Sequence, residues 1–354
     1  MSFKRNVQAF WSWFAEHAEQ IGADIEAQAH GDILKEFSAQ LDQVFGKAHF
    51  LIGGGPGNFE LTISPEGNRN MLFLSRFWKE QAPEIPGWTF FHLKPPAGKA
   101  GEGFGLRFEV EEGNPSIDWN DVYVLPKPNA ESKKIDIELY CEKLQGVDER
   151  TWFSYVFLLL DDCLGEAYTE SGIGAIERAQ KKRWRMMPFG ELYDYVVHTF
   201  QKNDWKLFEN PDEVASGYRM EPKAEIRKDR DDIAIGYTHH PGLINDYLSG
   251  SGEAINAMRA VGAEYLFLVY NHEHVPLDQK VPYRAPIEDA LDELLISRKL
   301  GRLLGGATGR VNSYIDLLVF DMEEFDALVP DALAEFDVAI RRVPFAEVVS
   351  CSTT

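Results

Sequence analysis

The stretch GRLLGGATGRVNSYIDLLVFD, residues 301–321, decides the fold class of this sequence. Residues 314–320 alternate between two faces, which is the period-two pattern of a β-strand. A phosphate-binding loop would instead open a helix and carry GxxxxGK[ST] or GxGxxG at that point. Gly305, Gly306 and Gly309 are therefore predicted to serve a hairpin turn or bulge, because glycine accepts positive φ.

Working outward, the second half follows the order β-α-β-β-α-β of the ferredoxin-like split βαβ unit. Its predicted elements are strand 265–270, helix 285–301, the two strands of the quoted stretch, a helix around Pro330 and strand 337–345. The first half gives a similar order with strand 59–64, helix 68–82, strand 88–93, strands within 121–140, helix 148–164 and strand 173–179. A further strand is predicted over 103–112.

Two amphipathic helices precede these units, with apolar stripes over 10–17 and 33–45. The sequence thus predicts an α+β protein of two ferredoxin-like domains with additional N-terminal helices. The N-terminal domain is expected over residues 1–205 and the C-terminal domain over 232–354, joined by a polar, weakly periodic linker over 206–231.

Charge and cysteine content indicate the class of partner and the cellular location of the protein. A formal charge of −21 repels phosphate backbones and anionic lipid, which argues against a nucleic-acid or membrane partner and suits a basic protein. Three cysteines without a CxxC pair indicate a reducing compartment, and we see neither a leader-like segment nor an apolar run of the roughly 20 residues that span a bilayer. The expected location is the cytoplasm, and no cofactor is predicted.

Asp316 is the unusual residue of the quoted stretch, because the neighbours on its face are apolar. It is expected either on an exposed sheet face or buried with a cationic partner, for which Arg310 and Arg302 are the candidates. A structural pair is favoured over catalysis, since a buried carboxylate needs a partner whatever its role. Asp316 and Arg310 are therefore candidate binding residues.

The segment YNHEHV, residues 270–275, is the best candidate for a metal site. His272 and His274 project to the same side if the strand continues, as two ligands would. A catalytic zinc ion takes three protein ligands, and the sequence does not locate a third. A solvated strand end is therefore the favoured interpretation.

The segment LLLDDCLGE, residues 158–166, brings together Asp161, Asp162 and Glu166. Paired carboxylates could perform acid–base chemistry or bind a cation. At the C-terminal end of a helix they are electrostatically disfavoured, which suggests a compensating cation. An Arg or Lys of this chain is the favoured source of it, and the three carboxylates are candidate binding residues.

One basic cluster, residues 178–185, surrounds Trp184 in this acidic chain. Such a cluster can contact RNA or an acidic protein. Given the overall charge, internal or solvated pairing is favoured here.

The first half resembles a bacterial family known only as a domain of unknown function. The resemblance rests on FWSWF at 10–14, LTISPEGN at 61–68, APEIPGW at 82–88 with FHLKPP after it, and LLLDDCLGE at 158–166. In some members this region is joined to a domain similar to a regulator of ribonuclease activity, which inhibits an RNA-degrading enzyme by binding it. This chain lacks the YDGW-like signature of that domain, and the resemblance provides no catalytic residues.

These patterns favour a non-catalytic binding or regulatory protein, such as an acidic inhibitor or immunity-type protein for a basic partner. A metal-dependent hydrolase using His272 and His274 is one alternative. The other is a small-molecule sensor that binds its ligand between the domains, where clefts commonly form.

Overall fold

The computed structural model describes residues 1–28, 32–55, 57–97 and 117–350, except the side chains of Leu277 and 348–350. The strands are β1 His49–Gly55, β2 Asn58–Ser64, β3 Trp88–Phe91, β4 Val122–Asn129, β5 Lys134–Cys141, β6 Ile173–Arg178, β7 Met187–Pro188, β8 Ser216–Arg219, β9 Ile233–Thr238, β10 Glu264–Asn271, β11 Gly301–Gly309, β12 Asn312–Val319 and β13 Arg341–Pro344. The helices are α1 Phe3–Glu26, α2 Asp32–Phe45, α3 Arg69–Glu80, α4 Glu149–Gly172, α5 Leu192–Asn203, α6 Pro241–Ser249, α7 Glu253–Ala260, α8 Lys280–Ser297, α9 Met322–Ala332 and α10 Phe345–Ser350. The strand predicted over 103–112 lies outside the described residues.

The stretch 301–321 forms the antiparallel pair β11 and β12, which confirms the prediction of two strands. The glycines, however, lie inside β11, and the turn falls at residues 310–311. Gly305 has φ +154° at a bulge between the two strands, and a Cβ there would lie 2.2 Å from the carbonyl oxygen of Tyr237. Gly305 therefore permits a close approach to β9 rather than a tight turn.

The second half of the chain builds a six-stranded sheet in the order β13-β10-β12-β11-β9-β8. Within it, β10 pairs antiparallel with both β12 and β13, and β11 pairs antiparallel with β12. Strands β8 and β9 extend the sheet beyond β11. Helix α8 begins at Lys280, five residues before the predicted start of helix 285–301, so Pro286 lies inside the helix.

The first half is divided between two sheets, so the prediction of two ferredoxin-like domains is not confirmed. One sheet has the order β1-β2-β3 and the other β6-β5-β4-β7. The predicted unit combined strands of both, because periodicity identifies a strand without identifying its neighbours. Mixed α and β structure is what the chain does show.

Three clusters of buried side chains hold these layers together. The first joins α1, α2 and the three-stranded sheet to one face of the six-stranded sheet. In it, the ring centres of Phe3 and Phe320 lie 5.4 Å apart, with the two rings tilted by 51°. The second lies between the four-stranded sheet and helices α4 and α5, and the third lies under α8 and α9. Among the described helices, none has the length and apolar character needed to cross a bilayer.

Candidate functional site

A cavity of about 910 Å³ lies between the three-stranded and the four-stranded sheets. Its walls come from β1, the turn after β2, the segment Leu93–Lys94, α4 and β6. Both β1 and β6 are edge strands of their sheets. The volume is within the range of about 300–1,000 Å³ that ligand pockets occupy. This cavity is the candidate site.

One side of the cavity is apolar and open to solvent. Leu51, Phe157 and Leu158 line it and are 51%, 45% and 43% exposed. Phe50 and Ile176 complete this wall. Large apolar side chains gathered at a concave surface are typical of ligand contact, whereas single exposed ones are ordinary.

The opposite end is polar, and it is shaped by a break in α4. Gly165 has φ +75° and ψ +155°, so the helix is interrupted there. A Cβ at this position would lie 2.9 Å from the carbonyl oxygen of Lys94 and 2.8 Å from the nitrogen of Pro96. Glycine is therefore required for the chain after β3 to pack against the helix.

Glu166 follows the break and ties three segments together. One carboxylate oxygen accepts hydrogen bonds from the Ser64 hydroxyl at 2.5 Å and the Glu66 amide at 3.1 Å. The other accepts from the Lys94 amide at 2.6 Å. The Glu166 amide in turn donates to the Lys94 carbonyl at 3.0 Å. These bonds make Glu166 a scaffold for the polar end of the cavity.

Asp161 and Asp162 differ in their cation partners. The Lys94 ammonium lies 3.0 Å from a carboxylate oxygen of Asp162, and both side chains are largely buried. Asp161 lines the cavity, and within the described part of the chain no lysine or arginine forms an ion pair with it. Burial, with the nearby Glu166, raises the pKa of Asp161 to about 7, against the influence of Thr169 and Lys94.

Asp316 is fully buried, and its partner is neither Arg310 nor Arg302. Arg230 binds it with both terminal nitrogens, at 2.5 and 3.2 Å. The Arg230 amide donates to the Tyr314 hydroxyl, which donates to Asp232. The prediction of a buried pair is thus right, but the partner comes from the segment expected to be a linker.

The two arginines proposed as partners of Asp316 make other contacts. Arg310 donates from its guanidinium to the carbonyl oxygens of Lys223 and Ala224. Arg302 is largely buried and forms an ion pair with Glu80. Both therefore join segments of the chain away from Asp316.

His272 is buried with both ring nitrogens engaged. Nε2 donates to the Gly309 carbonyl at 3.1 Å, so Nδ1 accepts from the Ser313 hydroxyl at 2.5 Å. Burial, with Lys280 nearby, lowers the pKa of His272 and favours this neutral form. His274 is exposed and lies against the Tyr283 ring. Among the described residues no three potential ligands are grouped to hold a metal ion, so the geometry does not support the metal site.

The basic cluster begins at Arg178, the last residue of β6, and continues into the loop before β7, where residues 180–185 are exposed. Arg183 pairs with Glu138 at 2.8 Å, and Lys182 lies over the Tyr123 ring. Trp184 is 87% exposed and carries Arg185 against its ring. Both internal pairing and solvation, as the sequence suggested, occur here.

The predicted residues thus separate into two places. Asp161, Asp162 and Glu166 meet at the cavity, while Asp316 lies in the six-stranded sheet. Sequence reasoning missed the role of Lys94, although this residue lies in the quoted FHLKPP segment and directly after the predicted strand 88–93.

The chain matches no family model, no curated protein and no solved structure.

Proposed function

We propose that this protein is a non-catalytic binding protein that takes a small, largely apolar molecule in the cavity between the three-stranded and four-stranded sheets. The observation that carries the proposal is the cavity itself, which has an apolar wall at Leu51, Phe157 and Leu158 and the carboxyl group of Asp161 one helical turn further along α4. An apolar lining with few polar groups is the usual composition of a ligand pocket.

The polar groups of the cavity favour binding over catalysis. Both oxygens of Glu166 accept hydrogen bonds from this chain, which holds the carboxylate in place as a structural group. The Cys163 thiol lies in the neighbouring core instead of lining the cavity, and burial raises its pKa to about 12, which disfavours the thiolate that a nucleophile requires. Asp161 is a charged lining residue that forms no ion pair within the described part of the chain, so a ligand could contact it.

Binding of the neutral dye Nile red tests the proposal. We expect one equivalent to bind the wild-type chain with enhanced fluorescence. Leu158→Trp, which puts a larger side chain in the apolar wall, should weaken binding at least tenfold. Leu248→Trp is the matched control, because Leu248 is a 58% exposed leucine on α6 away from the cavity. Absence of wild-type binding, or equal binding by the two variants, would overturn the proposal.

Three further proposals concern the fold of the second half, a protein partner and the cellular location. A ferredoxin-like arrangement of Glu264–Pro344 is supported by the strand order β13-β10-β12-β11. A basic protein partner is supported by the formal charge of −21. A cytoplasmic location is supported by the cysteine usage.

A further inference from the structure

The polar end of the cavity is rich in carboxylates. Asp161, Glu166 and Glu170 line it from α4, and Lys94 is the cation among the lining residues of the described chain. Lys94 is held by Asp162 at 3.0 Å, and Glu166 is held by the hydroxyl and amide donors described above. Asp161 is left without an ion pair inside the described part of the site.

Asp161 is half-buried, and a carboxyl group partly removed from water and without a cation is less stable in its charged form. Burial is the largest cause of the raised pKa of Asp161, and Glu166 and Glu170 add to it. Thr169 offers a hydrogen bond that works in the opposite direction. Lys94 also works in the opposite direction, but its ammonium forms its ion pair with Asp162. Among the described residues, no lysine or arginine therefore forms an ion pair with Asp161, and a ligand could supply that cation.

Resting on the proposed function, we propose that the ligand is an apolar amine, whose ammonium head pairs with Asp161 while its hydrocarbon body lies against Leu51, Phe157 and Leu158. The cavity complements both parts of such a ligand. The Asp161 carboxylate would pair with the ammonium group, and the exposed apolar side chains would contact the hydrocarbon tail. A carboxylate ligand would instead meet like charges at Asp161 and Glu166.

The charge balance predicts proton release when the amine binds. The ammonium keeps its proton, and the fraction of Asp161 that is protonated in the free protein releases its proton to solvent. Among the described residues, α4 brings Asp162, Glu166 and Glu170 to the cavity, and the segment after β3 brings Lys94. Arg69 of α3 forms an ion pair with Glu170 at 3.6 Å. His49 comes from β1 and Glu66 from the turn after β2. Nε2 of His49 lies 3.2 Å from a carboxylate oxygen of Glu66. These side chains are 73% and 48% exposed, so the pair lies at the mouth of the cavity.

Three probes of equal chain length separate the head group from the apolar body: octylamine, 1-octanol and octanoate. Calorimetric titration of the full-length protein should rank octylamine tightest and octanoate weakest. The affinity for octylamine should rise about tenfold from pH 6 to pH 8, because the pKa of Asp161 lies near the middle of that interval. The affinity for 1-octanol should not rise over the same interval.

Variants assign the effect to one carboxyl group. Asp161→Asn should remove the preference for octylamine over 1-octanol and its pH dependence, while retained 1-octanol binding shows that the cavity is intact. Asp32→Asn is the control, because the Asp32 side chain is fully exposed at the start of α2. Equal binding of octylamine and 1-octanol by the wild-type chain would overturn the amine assignment alone. Failure of all three probes would overturn the apolar cavity function as well.

Discussion

Arg230 holds a positive charge in the interior, within a group of aromatic rings. Its guanidinium carbon lies 4.8 Å from the ring centre of Phe345 and 5.2 Å from that of Phe267. Burial alone would lower the pKa of Arg230, but Asp316 and the neighbouring tyrosine hydroxyls outweigh burial and raise it. The stability of this charge therefore depends on Asp316.

Removing Asp316 alone should lower the free energy of unfolding far more than removing Asp316 and Arg230 together. Asp316→Leu leaves Arg230 buried and uncompensated, for which we expect a loss of about 3–5 kcal/mol in the free energy of unfolding. The double variant Asp316→Leu with Arg230→Met should lose less than Asp316→Leu alone, because no unpaired charge remains. Urea denaturation measures each value.

An exposed ion pair provides the control for this cycle. Glu225 and Arg227 pair at 2.8 Å with 72% and 78% of their side chains exposed, so Glu225→Gln should cost less than about 1 kcal/mol. Equal losses for Asp316→Leu and Glu225→Gln would contradict the role given to the buried pair.

Asp161 should lower the stability of the free protein at neutral pH. Its pKa is about 7 in the folded chain against an ordinary value of 3.8, so the folded state holds the proton more tightly. The free energy of unfolding therefore falls as the pH rises from the lower of these pKa values to the higher, and it stays lowered at higher pH. Asp161→Asn should be more stable than the wild type, by a margin that grows about 2–3 kcal/mol from pH 5 to pH 8.

Urea denaturation at both pH values compares Asp161→Asn with the exposed control Asp32→Asn. The control should give a margin that does not change with pH. A flat margin for Asp161→Asn would show that this carboxyl group is not held protonated in the folded chain. A residue that destabilises the free protein yet lines a cavity is the pattern expected of a binding site.

The break in α4 is the element that shapes the polar end of the cavity. Gly165→Ala places a side chain at positive φ and against the backbone of Lys94 and Pro96, so we expect a loss of about 1–3 kcal/mol in the free energy of unfolding. Movement of the segment at Lys94 should also weaken Nile red binding.

Gly146→Ala is the matched control, since a Cβ there meets no atom within 4 Å and the backbone is not at positive φ. It should leave both stability and dye binding close to the wild-type values. A Gly165→Ala variant that behaves like this control would show that the glycine break does not position the cavity.

Local pattern identified strands and helices well where each buries one regular face. The alternation of residues 314–320 predicted β12, and the apolar spacing in 10–17 predicted α1. The pairs Lys94–Asp162 and Arg230–Asp316 leave no such pattern, because their members are far apart in sequence and each is an ordinary charged residue alone. The cavity was missed for the same reason, as its walls come from separate sheets.

The N-terminal and C-terminal halves of the chain share one hydrophobic core. Phe77 lies 4.4 Å from Phe320, and the Phe3 amide donates to the Gly262 carbonyl at 3.0 Å. Arg230, in the segment predicted to be a linker, is fully buried against the six-stranded sheet. The six-stranded sheet therefore depends on the N-terminal helices to cover one face.

Separated halves should accordingly fail to fold alone and recover together. We expect fragment 206–354 to give no cooperative urea transition by circular dichroism, because the face that carries Phe320 and Tyr265 would be exposed. Adding fragment 1–205 should restore a transition and yield a complex on size exclusion. Fragment 1–205 should restore a weaker transition to fragment 232–354 than to fragment 206–354. The shorter fragment lacks Arg230, so Asp316 would be buried without its partner. A fragment 206–354 that unfolds cooperatively at the midpoint of the full chain would show instead that the shared core is dispensable, and that the two halves are independent domains.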